Sequence, residues 1–148
     1  ATVTPDLRGV AEADARRISG YPDWTVLRGR PTGELAALGS AHRGGVKRIV
    51  VDQPASRIAP GGRQRFPYPV GTTIVKTAGP AAAPELIAIM VKVARDGASD
   101  GGWDYLEYLR DSPSAPLSLL GGGEGVCTGC HFSAEQAQGT DWVFSTLR

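Results

Sequence analysis

The chain has 148 residues, a formal net charge of +1, and 41% hydrophobic and 21% charged residues. This composition is typical of one soluble globular domain with a core, and it excludes a disordered or fibrous chain. A net charge so close to zero provides no broad basic surface, so we expect no nucleic acid partner. The longest purely apolar run, residues 86–91, is far shorter than the ~20 residues of a membrane-spanning helix, so we expect no membrane span.

The first predicted element is a helix over residues 5–19. Thr4 suits the N-cap, Pro5 suits the first helical position and Asp6 suits the first turn, and apolar residues follow at helical spacing. Gly20 is expected to end this helix.

The segments that follow are shorter and less regular. Residues 24–27 are predicted to be extended, and residues 33–41 fit either a short helix or a loop. We treat residues 1–40 as a helical N-terminal extension of a single domain that covers residues 1–148.

The middle of the chain has the pattern of a β-sheet. Short segments rich in β-branched and aromatic residues are separated by Gly, Pro and Asp, which predicts four strands of one antiparallel sheet. A helical turn is predicted over residues 53–59. The predicted strands cover residues 46–51, 72–77, 86–93 and 103–109.

The C-terminal part is predicted to return to helix. Residues 111–125 are rich in Ser, Pro and Gly and predict a loop, residues 126–137 predict a helix that ends near Gly139, and residues 141–144 predict a final apolar strand or docked tail. The expected fold class is therefore α+β, mainly an antiparallel β-sheet with flanking helices and a C-terminal helix.

Cys127, Cys130 and His131 form the most informative motif, because two thiols three residues apart followed directly by an imidazole are the attachment pattern of haem c. On one helical turn the two thiols project from the same face, so each can add to a haem vinyl group. His131 is then the axial ligand of the iron. The motif predicts one covalent haem c, carried by the C-terminal helix.

Other readings of these cysteines are a redox pair, half of a zinc site, and a structural disulfide. A redox pair is typical of cytosolic proteins with a βαβ pattern, and a zinc site needs two further good ligands. The chain has no other cysteine, and its only other histidine, His42, lies far upstream. Haem c is the favoured interpretation. Because haem c is assembled outside the bacterial cytoplasm, we expect a periplasmic or extracytoplasmic protein whose signal peptide has been removed before Ala1.

Several short motifs follow one another between residues 41 and 144. They are Ala41-His42-Arg43-Gly44, the strand with Arg48, Pro69-Val70-Gly71-Thr72-Thr73-Ile74-Val75-Lys76, Ile89-Met90-Val91-Lys92, Gly101-Gly102-Trp103, the cysteine motif, and Asp141-Trp142-Val143-Phe144. In this order they resemble the cytochrome P-460 and cytochrome c′-β superfamily. The resemblance implies a periplasmic haem c protein with a mainly antiparallel β fold, often a homodimer.

Members of this superfamily divide by what covers the distal side of the haem. Cytochrome P-460 has a lysine joined covalently to the porphyrin edge and oxidises hydroxylamine. The c′-β members lack this link, carry an apolar distal cap and bind nitric oxide or carbon monoxide.

The resemblance assigns candidate distal residues to this chain. Lys76 occupies the cross-linking position, with a solvent-reaching or propionate-pairing lysine as the other reading. Arg48 matches the distal arginine of the hydroxylamine-oxidising branch, where it would orient a polar substrate, with a propionate salt bridge as the alternative. Oxidation also needs a general base, for which Glu107 and Asp104 are candidates unless they are surface residues.

Three further residues bear on the open side of the iron. Met90 is the only methionine and so the only thioether available as a sixth ligand, although core packing is the alternative reading. Strand alternation places it on the same face as Ala88 and Lys92. Phe66 is a candidate aromatic cap. His42 could give bis-histidine ligation, but its Gly-rich neighbourhood favours a structural or surface role.

The expected function is that of a haem c protein with an open distal site and five-coordinate iron. It acts on or binds small nitrogen species, through hydroxylamine oxidation or nitric oxide chemistry, and exchanges electrons with a redox partner protein. The alternatives are a non-enzymatic gas-binding cytochrome c′-β and an electron carrier with Met90 as sixth ligand.

Overall fold

The computed structural model describes residues 3–28, 47–93 and 102–122. These residues form one antiparallel sheet of six strands, in which each strand pairs with the next along the chain. The strands are β1 (Thr25–Leu27), β2 (Lys47–Val51), β3 (Thr73–Ala78), β4 (Leu86–Lys92), β5 (Trp103–Leu109) and β6 (Ser118–Gly122).

The four strands predicted from the sequence, β2 to β5, are confirmed with every boundary within one residue. The extended segment at residues 24–27 and the helical turn at residues 53–59 are confirmed as well. The turn is helix α2, at Ala55–Ile58, and helix α1, at Glu12–Arg17, precedes it along the chain.

The sixth strand, β6, was expected to be part of a loop. Its two glycines and its Ser/Pro-rich approach give it little intrinsic strand preference. It forms because β5 has an edge with which it can pair. Tyr108 pairs with Leu119 and Glu107 pairs with Gly121, so Leu120 is an extra residue that makes a β-bulge. Tertiary pairing thus overrides the local composition.

The first helix is shorter than expected. Helix α1 covers only Glu12–Arg17, whereas residues 5–19 were predicted. The backbone ahead of it bonds to other parts of the chain, because Asp6 N donates to Ala82 O at 2.8 Å and Leu117 N donates to Arg8 O at 2.7 Å. These groups are therefore not available for helical hydrogen bonds.

The predicted C-terminal helix over residues 126–137, the tail at 141–144 and the segment at 33–41 lie outside the described residues. Within the described ranges, no helix combines the length and the apolar character needed to cross a bilayer.

The sheet is buried on both faces, and strand alternation assigns each side chain to one of them. One face, which we call the N-terminal face, packs against the segment that precedes β1, through Ile18 and Tyr21. It carries Val50, Val75, Ile87, Ile89, Val91 and Tyr108.

The opposite face is covered by the loop between β2 and β3. It carries Leu27, Val51, Ile74, Met90, Trp103 and Tyr105, and the loop contributes Ile58, Phe66 and Tyr68. By the same alternation it also carries Lys47, Lys76 and Lys92, the only lysines of the chain, so we call it the lysine face.

A buried arginine fastens the N-terminal segment to the sheet. Arg110, directly after β5, is 2% exposed, and its Nη1 donates to Asp6 Oδ2 at 3.0 Å while its Nη2 donates to the Asp6 backbone oxygen. Arg8 also binds this carboxylate, with Nη2 to Oδ2 at 2.8 Å. The hydrogen bonds of Arg8, followed by that of Arg110, hold the pKa of Asp6 well below its usual range.

Gly9 lies where the N-terminal segment crosses the approach to β6. Its φ is +93°, and a Cβ there would lie 1.9 Å from Leu117 O. We expect Gly9→Ala to lower the free energy of unfolding by about 2–4 kcal/mol, because left-handed strain and a backbone clash add. Urea denaturation followed by circular dichroism measures this loss.

Gly20→Ala is the matched control. Gly20 also has positive φ, at +80°, but nothing lies within 4 Å of its added Cβ. Only the conformational strain of about 1 kcal/mol is expected there. Equal losses in the two variants would show that the contact with Leu117 O does not matter.

The Asp6 contacts predict an acid-dependent stability. Because the folded-state pKa of Asp6 is depressed, its contribution is fully present above the ordinary carboxyl pKa of about 3.9 and is lost as the pH falls below that value. Asp6→Asn should therefore be clearly less stable than the parent at pH 7, and the difference should shrink below pH 4. Glu12→Gln, at an exposed i,i+4 pair with Arg16, should change little. A pH-independent difference for Asp6→Asn would contradict this account.

Candidate functional site

The candidate site is a row of residues that crosses the lysine face. In register, Ile49 pairs with Lys76, Lys76 with Ala88, Ala88 with Glu107, and Glu107 with Gly121. We call these five residues the Lys76–Glu107 row. Lys76, Ala88 and Glu107 are all half-buried. Their side chains are therefore neither sealed in the core nor fully in solvent.

Two side chains of opposite charge stand on this row with a small residue between them. The Cα atoms of Lys76 and Glu107 are separated by two inter-strand spacings, or about 10 Å. Ala88 lies between them, and Gly121 lies on the far side of Glu107. The register thus places an ammonium group and a carboxylate on either side of Ala88.

The neighbouring row on the same face is an apolar wall. Val51, Ile74, Met90 and Tyr105 are paired in register, and each is at most 8% exposed. This wall excludes water from one long edge of the Lys76–Glu107 row, so the charges beside it act in a less polar environment than at an open surface.

Phe66 belongs to the lysine face through a chain of aromatic contacts. Its ring meets that of Tyr68 edge-on, with centroids 5.6 Å apart, and Tyr68 meets Trp103 at 5.8 Å. Gln64 Nε2 donates to the Tyr68 hydroxyl at 2.8 Å, and the Phe66–Pro67 peptide is cis. Phe66 is half-buried and packs against the core cluster of the lysine face. It therefore lies on the same side of the sheet as Lys76.

Lys92 marks one end of the lysine face. Its Nζ lies 5.1 Å from the centroid of the Trp103 ring, and the residue is only 1% exposed. A cation over an indole face is a favourable contact in such a desolvated setting. Lys92 is thus held inside the protein, whereas Lys76 is half-buried on the row.

Arg48 lies on the other face of the sheet. It pairs with Thr77, one residue beyond Lys76, and its Nη1 donates to Pro22 O at 2.8 Å on the N-terminal face. The structure therefore does not bring Arg48 and Lys76 together. The observed contact joins β2 to the N-terminal segment, and a role for Arg48 at a haem stays a prediction that this placement does not support.

Asp104 and Glu107, the two candidates for the general base, also lie on opposite faces of the sheet. Asp104 is exposed and pairs with Val91, a residue of the N-terminal face. Glu107 shares the lysine face with Trp103 and Tyr105. Asp104 is an even number of residues from Tyr108, which is buried on the N-terminal face, so strand alternation in the sequence did not by itself choose between the two acids.

Met90 is packed in the core. It lies between Ile74 and Tyr105 in register and is 8% exposed. The predicted sharing of a face with Ala88 and Lys92, opposite Ile87, Ile89 and Val91, is confirmed. Its surroundings are those of a core side chain.

The predicted haem ligands Cys127, Cys130 and His131 lie outside the described residues, as does His42. Within the described part of the chain, no group of three or more His, Cys, Asp or Glu side chains is placed to hold a metal ion.

The lysine face suits a porphyrin on the chemistry that the structure presents. A porphyrin needs a flat apolar bed and a cation near its propionates. Ile49 and Ala88, both half-buried on the row, provide apolar surface, and Lys76 provides a half-buried cation.

Comparison with known proteins gives a family. The family model described as Cytochrome P460 matches residues 18–145, which is most of the chain and includes β1 to β6 as well as the cysteine motif. Among curated proteins, none matches the chain significantly. Membership implies a haem cofactor, in agreement with the resemblance noted in the sequence. The chain belongs to the Cytochrome P460 family.

Proposed function

We propose that this chain is a periplasmic, mono-haem c oxidoreductase that acts on hydroxylamine. Cys127 and Cys130 would hold the haem, His131 would bind its iron, and the Lys76–Glu107 row would supply the polar groups that a small ligand meets. The observation that carries the proposal is the placement of Lys76 and Glu107 on one face, on either side of Ala88. The bound haem supplies a redox-active iron that accepts electrons from a small ligand.

The length of the chain supports this placement. Cys127 is five residues beyond Gly122, so it lies within about 18 Å of the end of β6. Gly122 pairs with Leu106, next to Glu107. From Gly121 to Lys76 the row spans three inter-strand spacings, about 14 Å. A haem attached at Cys127 is therefore within reach of the row from Gly121 to Lys76.

Lys76 and Glu107 have different tasks in this proposal. Lys76 holds the porphyrin at its edge, either through the covalent link that the family resemblance implies or as the partner of a propionate. Glu107 takes up protons that hydroxylamine releases as it is oxidised, since a carboxylate beside an apolar wall can act as a general base. Phe66 and the wall at Ile74 and Met90 keep bulk water away.

The polarity of the row favours hydroxylamine over a gas as the ligand. A nitric oxide or carbon monoxide binder needs an apolar pocket with few hydrogen-bonding groups, whereas this row offers an ammonium group and a carboxylate. Gas binding is the second candidate, and the observation in its favour is Phe66, which lies on the same face.

Glu107→Gln tests the proposed general base in the haem-loaded protein. We expect a roughly 100-fold lower kcat for hydroxylamine oxidation with an unchanged Soret band, because proton uptake is lost and the haem is not. Asp104→Asn, on the opposite face, is the matched control and should leave kcat within about twofold. Steady-state assays with an artificial acceptor measure both.

Lys76→Ala and Lys76→Arg test the cross-link, and optical spectra of the reduced, haem-loaded variants measure it. If Lys76 is cross-linked, the parent has a red-shifted ferrous Soret band and both variants revert to an ordinary haem c spectrum. Lys47→Ala should not shift this band.

Three results would contradict the proposal. A pyridine haemochrome without the thioether signature removes the haem c assignment. High-spin bands that respond to carbon monoxide, with no oxidation of hydroxylamine, select the gas binder. Equal loss of kcat in Glu107→Gln and Asp104→Asn removes Glu107 as the base.

Met90→Ala tests the electron-carrier alternative. We expect an unchanged haem spectrum together with a loss of about 2–5 kcal/mol in the free energy of unfolding, because a core side chain is truncated. Optical spectra and urea denaturation of the same sample provide both values. Loss of a six-coordinate low-spin spectrum on this substitution would show instead that Met90 binds the iron.

A further inference from the structure

The loop between β2 and β3 carries a concentration of positive charge. It contains Arg57, Arg63 and Arg65, all exposed, and the chain has no acidic residue between Asp52 and Glu85. We call residues 53–66 the arginine loop. For a protein with a net charge of only +1, this is a marked local excess of one sign.

The arginine loop is folded rather than extended. Its backbone makes internal hydrogen bonds, with Arg65 N donating to Ile58 O at 2.8 Å and Gly62 N donating to Ala59 O at 2.9 Å. The first of these bonds brings Arg65 beside the end of α2, where Arg57 lies. Ile58, which is 2% exposed, anchors the inner side of the loop in the core of the lysine face. The guanidinium groups are thus held on the outer side of a fixed scaffold.

The charges of this loop are not neutralised in the described part of the chain. Arg8 and Arg110 bind Asp6, and Arg16 binds Glu12, but Arg57, Arg63 and Arg65 form no ion pair with any described residue. Three like charges on one short loop repel each other, so folding gains nothing from their closeness. A negatively charged partner would gain from it.

We propose that the arginine loop is the docking surface for an acidic electron-carrier protein. The inference rests on the proposed function, because an oxidoreductase that removes electrons from a small substrate must pass them on. Each transfer moves one electron from ferrous haem to the oxidised metal centre of the carrier, and no bond is made or broken. A docked carrier would be close to the haem because the inner side of the loop packs on the lysine face.

The composition of the surface favours a protein over a lipid membrane as the partner. An anionic headgroup would also bind guanidinium, but membrane binding usually needs several large apolar side chains to insert. Along residues 53–71 only Val70, at 59%, is an exposed large apolar residue, and Phe66 is half-buried. A small apolar contact with a rim of arginines is typical of transient protein interfaces.

The test compares two double variants of the haem-loaded protein. Arg57→Gln with Arg65→Gln removes two charges from the arginine loop, and Arg16→Gln with Arg17→Gln removes two exposed charges from α1. Stopped-flow absorbance follows the oxidation of the ferrous protein by an acidic blue-copper protein between 10 and roughly 300 mM salt, a range over which screening becomes strong.

We expect the parent rate constant to fall steeply with salt. The loop variant should be roughly tenfold slower at low salt and nearly salt-independent, because electrostatic steering is lost, while the α1 variant stays within about twofold of the parent. Equal slowing in both variants, or none in either, would overturn the proposal. So would binding of the parent to phosphatidylglycerol vesicles through the loop without any effect of the loop variant on the carrier reaction.

A second measurement separates this proposal from the proposed function. Calorimetric titration of the ferric protein with the blue-copper protein detects docking without any turnover of hydroxylamine. If docking depends on the arginine loop but the protein does not oxidise hydroxylamine, the docking proposal stands and the proposed function is wrong. If the protein oxidises hydroxylamine but docking does not depend on the loop, the proposed function stands and the docking proposal is wrong.

Discussion

The organisation of this protein depends on the two-residue alternation of its strands. In a meander where each strand pairs with the next, one register commits every side chain of β2 to β5 to one of two faces. As a result, the N-terminal face buries its apolar side chains under the segment before β1, with Arg48 and Asp104 also on this face, and the lysine face combines an apolar wall with a row that bears charge. A shift of one residue in β3 would exchange Lys76 for Val75 or Thr77 and remove the site without changing the composition of the sheet.

The central strands could be predicted because each is a short β-branched or aromatic run bounded by Gly or Pro, and here local preference agrees with the tertiary structure. Prediction was less successful where the two conflict. Residues 5–10 have the sequence pattern of a helix start, but Asp6 is engaged by a buried arginine more than a hundred positions away. Strand β6 has almost no strand preference of its own and exists because β5 has an open edge. Neither long-range partner can be inferred from the local sequence.

The candidate distal residues came from two sources in the sequence. Motif order suggested Lys76, and the loop before the Lys76 strand suggested Phe66; both lie on one face. The same order suggested Arg48, which is one residue out of phase with Lys76 and contacts the other side of the molecule. Glu107 could not be chosen over Asp104 without the phase of β5 relative to its buried aromatic residues. Motif matching shows which residues are present, but the alternation of side chains along each strand determines which of them lie on the same face of the sheet.

The contacts of Asp6, Gly9 and Arg110 place the N-terminal segment against the approach to β6. The family match begins only at residue 18, so this segment lies outside what defines the family. It nevertheless grips the stretch of chain that leads, ten residues after Leu117, to the first cysteine of the haem motif. The segment therefore holds in place the stretch of chain that leads into β6, the described strand nearest to the cysteines in sequence. Removing residues 1–17 would remove these backbone hydrogen bonds and the buried ion pair, so the position of β6 would depend on its pairing with β5.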